Sequence, residues 1–167
     1  YHVSLLAAAG AVPRFVPTVS PDWTFDPEAL AGAVTSRTRA VVVCTPGNPS
    51  GKVFTEPELA AVAALARDHD LAVLTDEIYE YFVYDDAEHV SLASLPGMWE
   101  RTVTISGFSK TYAITGWRLG YAAGPPDLME PVGLVNDLHY VCAPTPLQHG
   151  VARAMERLPE EIGRAHV

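Results

Sequence analysis

Lys110 is one of only two lysines in the chain, and it stands in the run Ser106-Gly107-Phe108-Ser109-Lys110-Thr111-Tyr112, with Arg118 eight positions on. A lysine among small neighbours can bond an aldehyde carbon, while an arginine close by clamps a phosphate on the same ligand. That pairing points to pyridoxal 5′-phosphate. Two polar segments lie upstream, Thr45-Pro46-Gly47-Asn48-Pro49-Ser50-Gly51 and Asp76-Glu77-Ile78-Tyr79-Glu80. They add an amide, carboxylates and a phenol to the amine and the guanidinium.

These groups need a scaffold that brings them together, and the apolar pattern supplies one. Arg39 to Cys44 is a short β-branched run, as expected of a buried parallel strand. Thr55 is a good N-cap for a helix that opens with Glu56-Pro57-Glu58 and continues at helical spacing through Leu59, Val62, Ala63, Leu65 and Ala66. Leu71 to Leu74 reads as the next strand, completing a βαβ unit, which is almost always right-handed. Thr102 to Ile105 and Leu119 to Ala123 read as two further strands. A short helix runs from Pro27 to about Val34 behind Asp26. Two more run over Pro126–His139 and Leu147–Leu158, with Pro144-Thr145-Pro146 breaking between them. The chain reads as one compact α/β unit with neighbours missing. Asn48, the Asp76/Tyr79 pair and Lys110 each follow a strand, and ligands of open α/β sheets gather beyond the strands' carboxyl ends.

Composition narrows the function classes. A hydrophobic content of 49% with 19% charged residues is that of a soluble globular protein. The net charge of −9 and the lack of a basic stripe argue against a nucleic-acid surface. The longest apolar run, Leu59 to Ala66, is too short to span a bilayer and stops at Arg67. Cys44 and Cys142 match no metal spacing and sit in apolar contexts, the pattern of reduced core thiols in a cytoplasmic protein. Six scattered histidines form no ligand pair, so no metal site is expected. Gly51-Lys52 fails as a phosphate loop, because Val53 stands where Ser or Thr is needed, and Lys52 reads as solvated. The run Asp85-Asp86 with Glu88 reads as an exposed loop. The start at Tyr1-His2-Val3 reads as that of a piece of a longer protein. Residues 162–167 break off the helical pattern and read as a non-native tail.

The order and spacing of TPGNPSG, DEIYE and the lysine segment resemble the large domain of class I/II aminotransferases, the fold-type-I enzymes dependent on pyridoxal phosphate. The resemblance runs from Tyr1 to about Glu161. It implies a mostly parallel sheet flanked by helices in three layers, αβα, with residues 1–161 forming part of the cofactor-binding large domain. It also implies roles. Lys110 would form the Schiff base with the cofactor and move a proton at the substrate's α-carbon. Asp76 would pair with the pyridine nitrogen, Tyr79 and Asn48 with the ring oxygen, and Arg118 with the phosphate. Ser109 would add a phosphate hydrogen bond, and Ser106 is a lesser candidate. Many relatives carry serine where this chain has Gly107.

Singly, each residue has an ordinary reading: Lys110 a surface lysine, Asp76 a helix cap, Asn48 a turn residue, Arg118 half of an ion pair, and Tyr79 and Trp117 core aromatics. For Trp117 the core reading is preferred. Jointly the ordinary readings leave the strand-end placement unexplained. The resemblance implies an aminotransferase, exchanging an amino group between an amino acid and a 2-oxo acid, and a cytoplasmic homodimer as the intact protein. It implies too that this segment lacks a glycine-rich phosphate loop, a ring-stacking aromatic and the small domain, so that alone it should be inactive. Three rivals remain. One is a carbon–sulfur β-lyase or aminocyclopropane-carboxylate-synthase-like enzyme on the same fold. Another is an aminotransferase-like sensing domain of a transcription regulator, and the last is an inactive relative.

Overall fold

The computed structural model describes residues 2–157, which divide into two compact units, residues 2–38 and 39–157. In the first, helix α1 (His2–Ala8) precedes a two-stranded antiparallel ribbon, β1 (Thr18–Val19) with β2 (Thr24–Phe25), and helix α2 (Pro27–Ala33). Helix α2 starts where the sequence marks it. The Asp26 carboxylate accepts from Glu28 N–H at 2.9 Å, and Pro27 fills a first-turn position whose N–H would have no partner. Neither α1 nor the ribbon has a sequence signature strong enough to anticipate.

The second unit is built on a four-stranded sheet of order β3-β4-β5-β6: β3 (Ala40–Cys44), β4 (Ala72–Asp76), β5 (Thr102–Gly107) and β6 (Gly120–Ala123). The first three strands run parallel, and β6 returns antiparallel beside β5. Helix α3 (Glu56–Asp68) connects β3 to β4. At its start, the N–H and hydroxyl of Thr55 both donate to Glu58, at 2.8 and 2.9 Å. The expected freely solvated Lys52 is instead held there. It pairs with Glu58 at 2.9 Å and lies over the Phe54 ring, because its long stem reaches back across the helix entrance. Burial acts to raise the Glu58 pKa, but the Thr55 donors and Lys52 outweigh it and hold the carboxyl below its ordinary value.

Strand alternation decides what lies inside. Val73, Thr75, Thr102 and Ser106 are buried, as are Leu59, Val62, Ala63 and Ala66 of α3, with Leu92 and Met98 from the connection before β5. The other face is partly open, with Val42 37% and Ile105 41% exposed. Helix α5 (Pro126–His139) has the expected bounds. Helix α6 (Thr145–Arg157) starts two residues earlier than expected, because Pro146 is accommodated in a first turn rather than breaking it. The end of that helix at Leu158 and the tail 162–167 lie outside the described residues. Cys142, expected in a core, is exposed, since it follows α5 in a stretch with no buried residue.

Candidate active site

Each strand-end segment is held by the backbone before any side chain is considered. After β3, Thr45 N–H donates to the Asp76 carbonyl at 3.0 Å, and the fully buried Thr45 hydroxyl accepts from Phe54 N–H at 3.1 Å. Gly47 N–H to the Lys52 carbonyl and Gly51 N–H to the Gly47 carbonyl, both 2.7 Å, close the loop that presents Asn48. Gly51 takes φ +72°, where a side chain would be strained.

After β4, the chain turns through Glu80 N–H to the Glu77 carbonyl (2.9 Å) and Phe82 N–H to the Tyr79 carbonyl (2.7 Å). Asp76 shares its register with Cys44 and Ile105, on the partly open face, and its carboxylate accepts from Ile78 N–H at 3.3 Å. Burial pushes the Cys44 thiol up and outweighs the opposing Asn48 backbone hydrogen bond, with the Asp76 charge adding a lesser upward push. Cys44 is therefore held as a thiol and is a poor nucleophile.

After β5, Gly107 leads into a single helical turn, α4 (Phe108–Thr111), which carries Lys110. Gly107 is extended at φ 173°, so its backbone conformation does not demand glycine. Space does. A Cβ there would lie 2.8 Å from Gly120 Cα and 2.9 Å from the Leu119 carbonyl oxygen. The turn is fastened by Thr115 hydroxyl to the Ser109 carbonyl at 3.0 Å and by Phe108 against Tyr112 and Tyr121.

These segments bring three candidate residues together. The Asn48 side-chain amide donates to the Tyr79 hydroxyl at 3.2 Å, and the Lys110 ammonium lies 5.8 Å from the centre of the Tyr79 ring. Asp76 lies three residues before Tyr79 on the same strand end. Arg118 is exposed and takes the left-handed conformation (φ 57°), its guanidinium donating to the Thr115 carbonyl at 3.0 Å. Ser109, half-buried, accepts the Thr115 hydroxyl through its carbonyl.

Two readings change. The Ser106 hydroxyl is buried and directed to the Glu80 carboxylate at 2.9 Å and the Glu77 carbonyl at 3.3 Å, so it is a structural donor rather than a phosphate ligand. Trp117 is 40% exposed, with its ring against the bare Cα of Gly150, because the turn that presents Arg118 also turns Trp117 outward. Sequence reasoning also missed two networks. Glu80 receives Tyr121 OH at 3.3 Å as well as Ser106. Burial first, and the Glu80 charge after it, outweigh the Ser106 hydrogen bond and raise the Tyr121 phenol above its ordinary value, keeping it a donor. The second network surrounds Glu77, which is 1% exposed. A charge buried at a strand end next to Asp76 was its only sequence signal.

Chemically, the set offers an amine, a phenol whose own proton is left to donate, a carboxylate and a guanidinium. Those groups complement an aldehyde, a ring oxygen, a ring nitrogen and a phosphate, and so the residues present fit pyridoxal phosphate.

The family model "Aminotransferase class I and II" matches residues 1–164. The chain is 48% identical over 138 residues to kynurenine–oxoglutarate transaminase 1 of Homo sapiens, covering 83% of this chain and 33% of that protein. It is 44% identical over 148 residues to aromatic-amino-acid aminotransferase 2 of Thermococcus litoralis, covering 88% and 38%. Among solved structures, N-succinyldiaminopimelate aminotransferase from Mycobacterium tuberculosis matches with a TM-score of 0.89 and 41% identity, covering 92% of this chain and 40% of that one. The chain belongs to the class I and II aminotransferase family, and its fold is the α/β fold of those enzymes. It spans between a third and two-fifths of the length of these relatives.

Proposed function

We propose that the protein carrying this chain is a pyridoxal-phosphate-dependent aminotransferase. It exchanges the amino group of an amino acid for the carbonyl oxygen of a 2-oxo acid, with residues 1–161 forming part of its cofactor-binding large domain. The observation that carries this reading is the Lys110–Tyr79–Asn48 cluster, 5.8 and 3.2 Å between partners, at the ends of strands that belong to this family's fold. When bound, the cofactor supplies an electron sink for the charge left on the substrate's α-carbon. Lys110 would hold the cofactor through its aldehyde carbon, and once the substrate's own amino group has taken that place the lysine amine would move the proton at the substrate's α-carbon. The Tyr79 hydroxyl, already accepting from Asn48, would donate its own hydrogen to the ring oxygen. Asp76 would keep the ring nitrogen protonated, Arg118 would fork onto the phosphate, and Ser109 would add a hydroxyl beside it.

The names of the relatives, both transaminases, favour transfer over lyase or synthase chemistry on the same scaffold. The intact protein is read as a cytoplasmic homodimer. The free thiols Cys44 and Cys142 support a reducing compartment, and no described helix is long and apolar enough to cross a membrane. The test is an assay of the full-length protein with kynurenine and aromatic amino acids as donors. Transfer predicts a 2-oxo acid product that accumulates beyond one equivalent per active site only when a second 2-oxo acid is supplied. Release of ammonia or thiol without an acceptor would replace this reading with the lyase one.

A further inference from the structure

Every polar group of Glu77 is engaged. Its N–H donates to the Ile105 carbonyl of β5 at 2.8 Å, and its carbonyl accepts from Glu80 N–H at 2.9 Å and from the Ser106 hydroxyl at 3.3 Å. One carboxylate oxygen accepts from the Thr75 and Ser91 hydroxyls, each at 3.0 Å, and the other faces His89 Nε2 at 3.0 Å. The residue thus joins four segments: strand β4, strand β5, the turn that carries Tyr79, and the stretch 89–91 that closes the exposed acidic loop. Alternation puts Asp76 on the opposite side of the strand from Thr75 and Glu77. The clamp therefore holds the backbone from behind while Asp76 faces the site.

Stability alone does not account for it. A buried carboxylate held by two hydroxyls and an imidazole gains no more than a packed apolar side chain of the same volume would give. What the carboxylate adds is direction, since it fixes the strand end between Asp76 and Tyr79 in one geometry.

We infer that Glu77, with His89 and Ser91, is the positioning element of this site, setting Asp76 and Tyr79 toward the ligand bonded by Lys110. The inference rests on the cofactor reading above. Its test uses the full-length protein loaded with pyridoxal phosphate. It compares the parent with Glu77→Gln, His89→Leu, His89→Gln and Ser91→Ala. Three quantities are measured: the pH midpoint of the absorbance of the lysine-bonded cofactor, the cofactor's dissociation constant, and the melting midpoint of the cofactor-free protein. A donor to the ring oxygen favours the deprotonated form, so a loosened Tyr79 should move the absorbance midpoint upward by about half a pH unit in Glu77→Gln and His89→Leu. Cofactor affinity should fall about tenfold in the same variants. His89→Gln keeps an N–H donor at the Nε2 position and should restore most of both. Ser91→Ala removes one hydroxyl and carries the same test, with a smaller shift, if His89→Leu does not fold. Variants that melt lower yet keep the parent's absorbance midpoint and affinity would overturn the inference. A parent with no lysine-bonded absorbance would instead overturn the cofactor reading, a separate result.

Discussion

Arg118 pays locally for its position. Its φ of 57° is the left-handed region, which a glycine enters freely and an arginine only at a cost of about 1 kcal/mol. Its side chain is exposed, with the guanidinium donating to the Thr115 carbonyl. Replacing Arg118 with glycine should therefore leave the melting midpoint of the cofactor-free protein unchanged or slightly higher. Cofactor affinity, measured by equilibrium dialysis, should fall by about tenfold or more as the phosphate loses a bidentate donor. Unchanged affinity would remove Arg118 from the site. The residue scale also explains two misreadings. Composition around Cys142 and Trp117 is apolar, but side-chain burial depends on what covers a segment, and that is not written in the neighbours of a single residue. Lys52 was legible as failing a phosphate loop, yet its pairing with Glu58 depends on how the loop folds back onto α3.

At the scale of elements, the approach of β6 to β5 sets where the lysine turn can begin. Gly107 pairs with Gly120, and the bare Cα atoms let the two backbones close to distances that no Cβ would tolerate. The two nearest atoms to such a Cβ are backbone, so they cannot rotate away. Gly107→Ala should destabilise the intact protein by about 1–3 kcal/mol in denaturant unfolding and displace the turn carrying Lys110. A change within about 0.5 kcal/mol would show that the strands part freely. Strands β3 to β5 were legible as apolar runs rich in β-branched residues, and helices α2, α3 and α5 by their caps and periodicity, while β6 was legible only as the short run Leu119 to Ala123. The antiparallel direction of β6 was not, since a local pattern carries no information about pairing direction. Helix α4 is one turn long, too short for a period to show, and the ribbon β1–β2 offers two residues per strand. The Glu77 clamp is invisible for a different reason: Glu77 and His89 are twelve residues apart, joined only by the fold.

For the molecule as a whole, three consecutive strand ends lie at the carboxyl edge of the three parallel strands β3, β4 and β5. Asn48, Asp76 with Tyr79, and Lys110 each follow a strand, and their order and spacing carry the family resemblance. In the folded unit, hydrogen bonds and ring contacts join Asn48 to Tyr79 and Tyr79 to Lys110. Asp76 and Arg118 stand nearer the edge of what the sequence could specify. Their strand-end and turn positions were legible, while the contacts of their charged ends, Asp76 with Ile78 N–H and Arg118 with the Thr115 carbonyl, come from the fold. The account turns on one covalent bond, between Lys110 and an aldehyde. Borohydride reduction of the cofactor-loaded full-length protein, followed by peptide mass spectrometry, tests it directly. The account predicts that the cofactor's mass is retained on the peptide containing Lys110 and on no peptide of the Lys110→Ala variant. Labelling at another lysine, or persistence of the bonded cofactor's absorbance in Lys110→Ala, would contradict it.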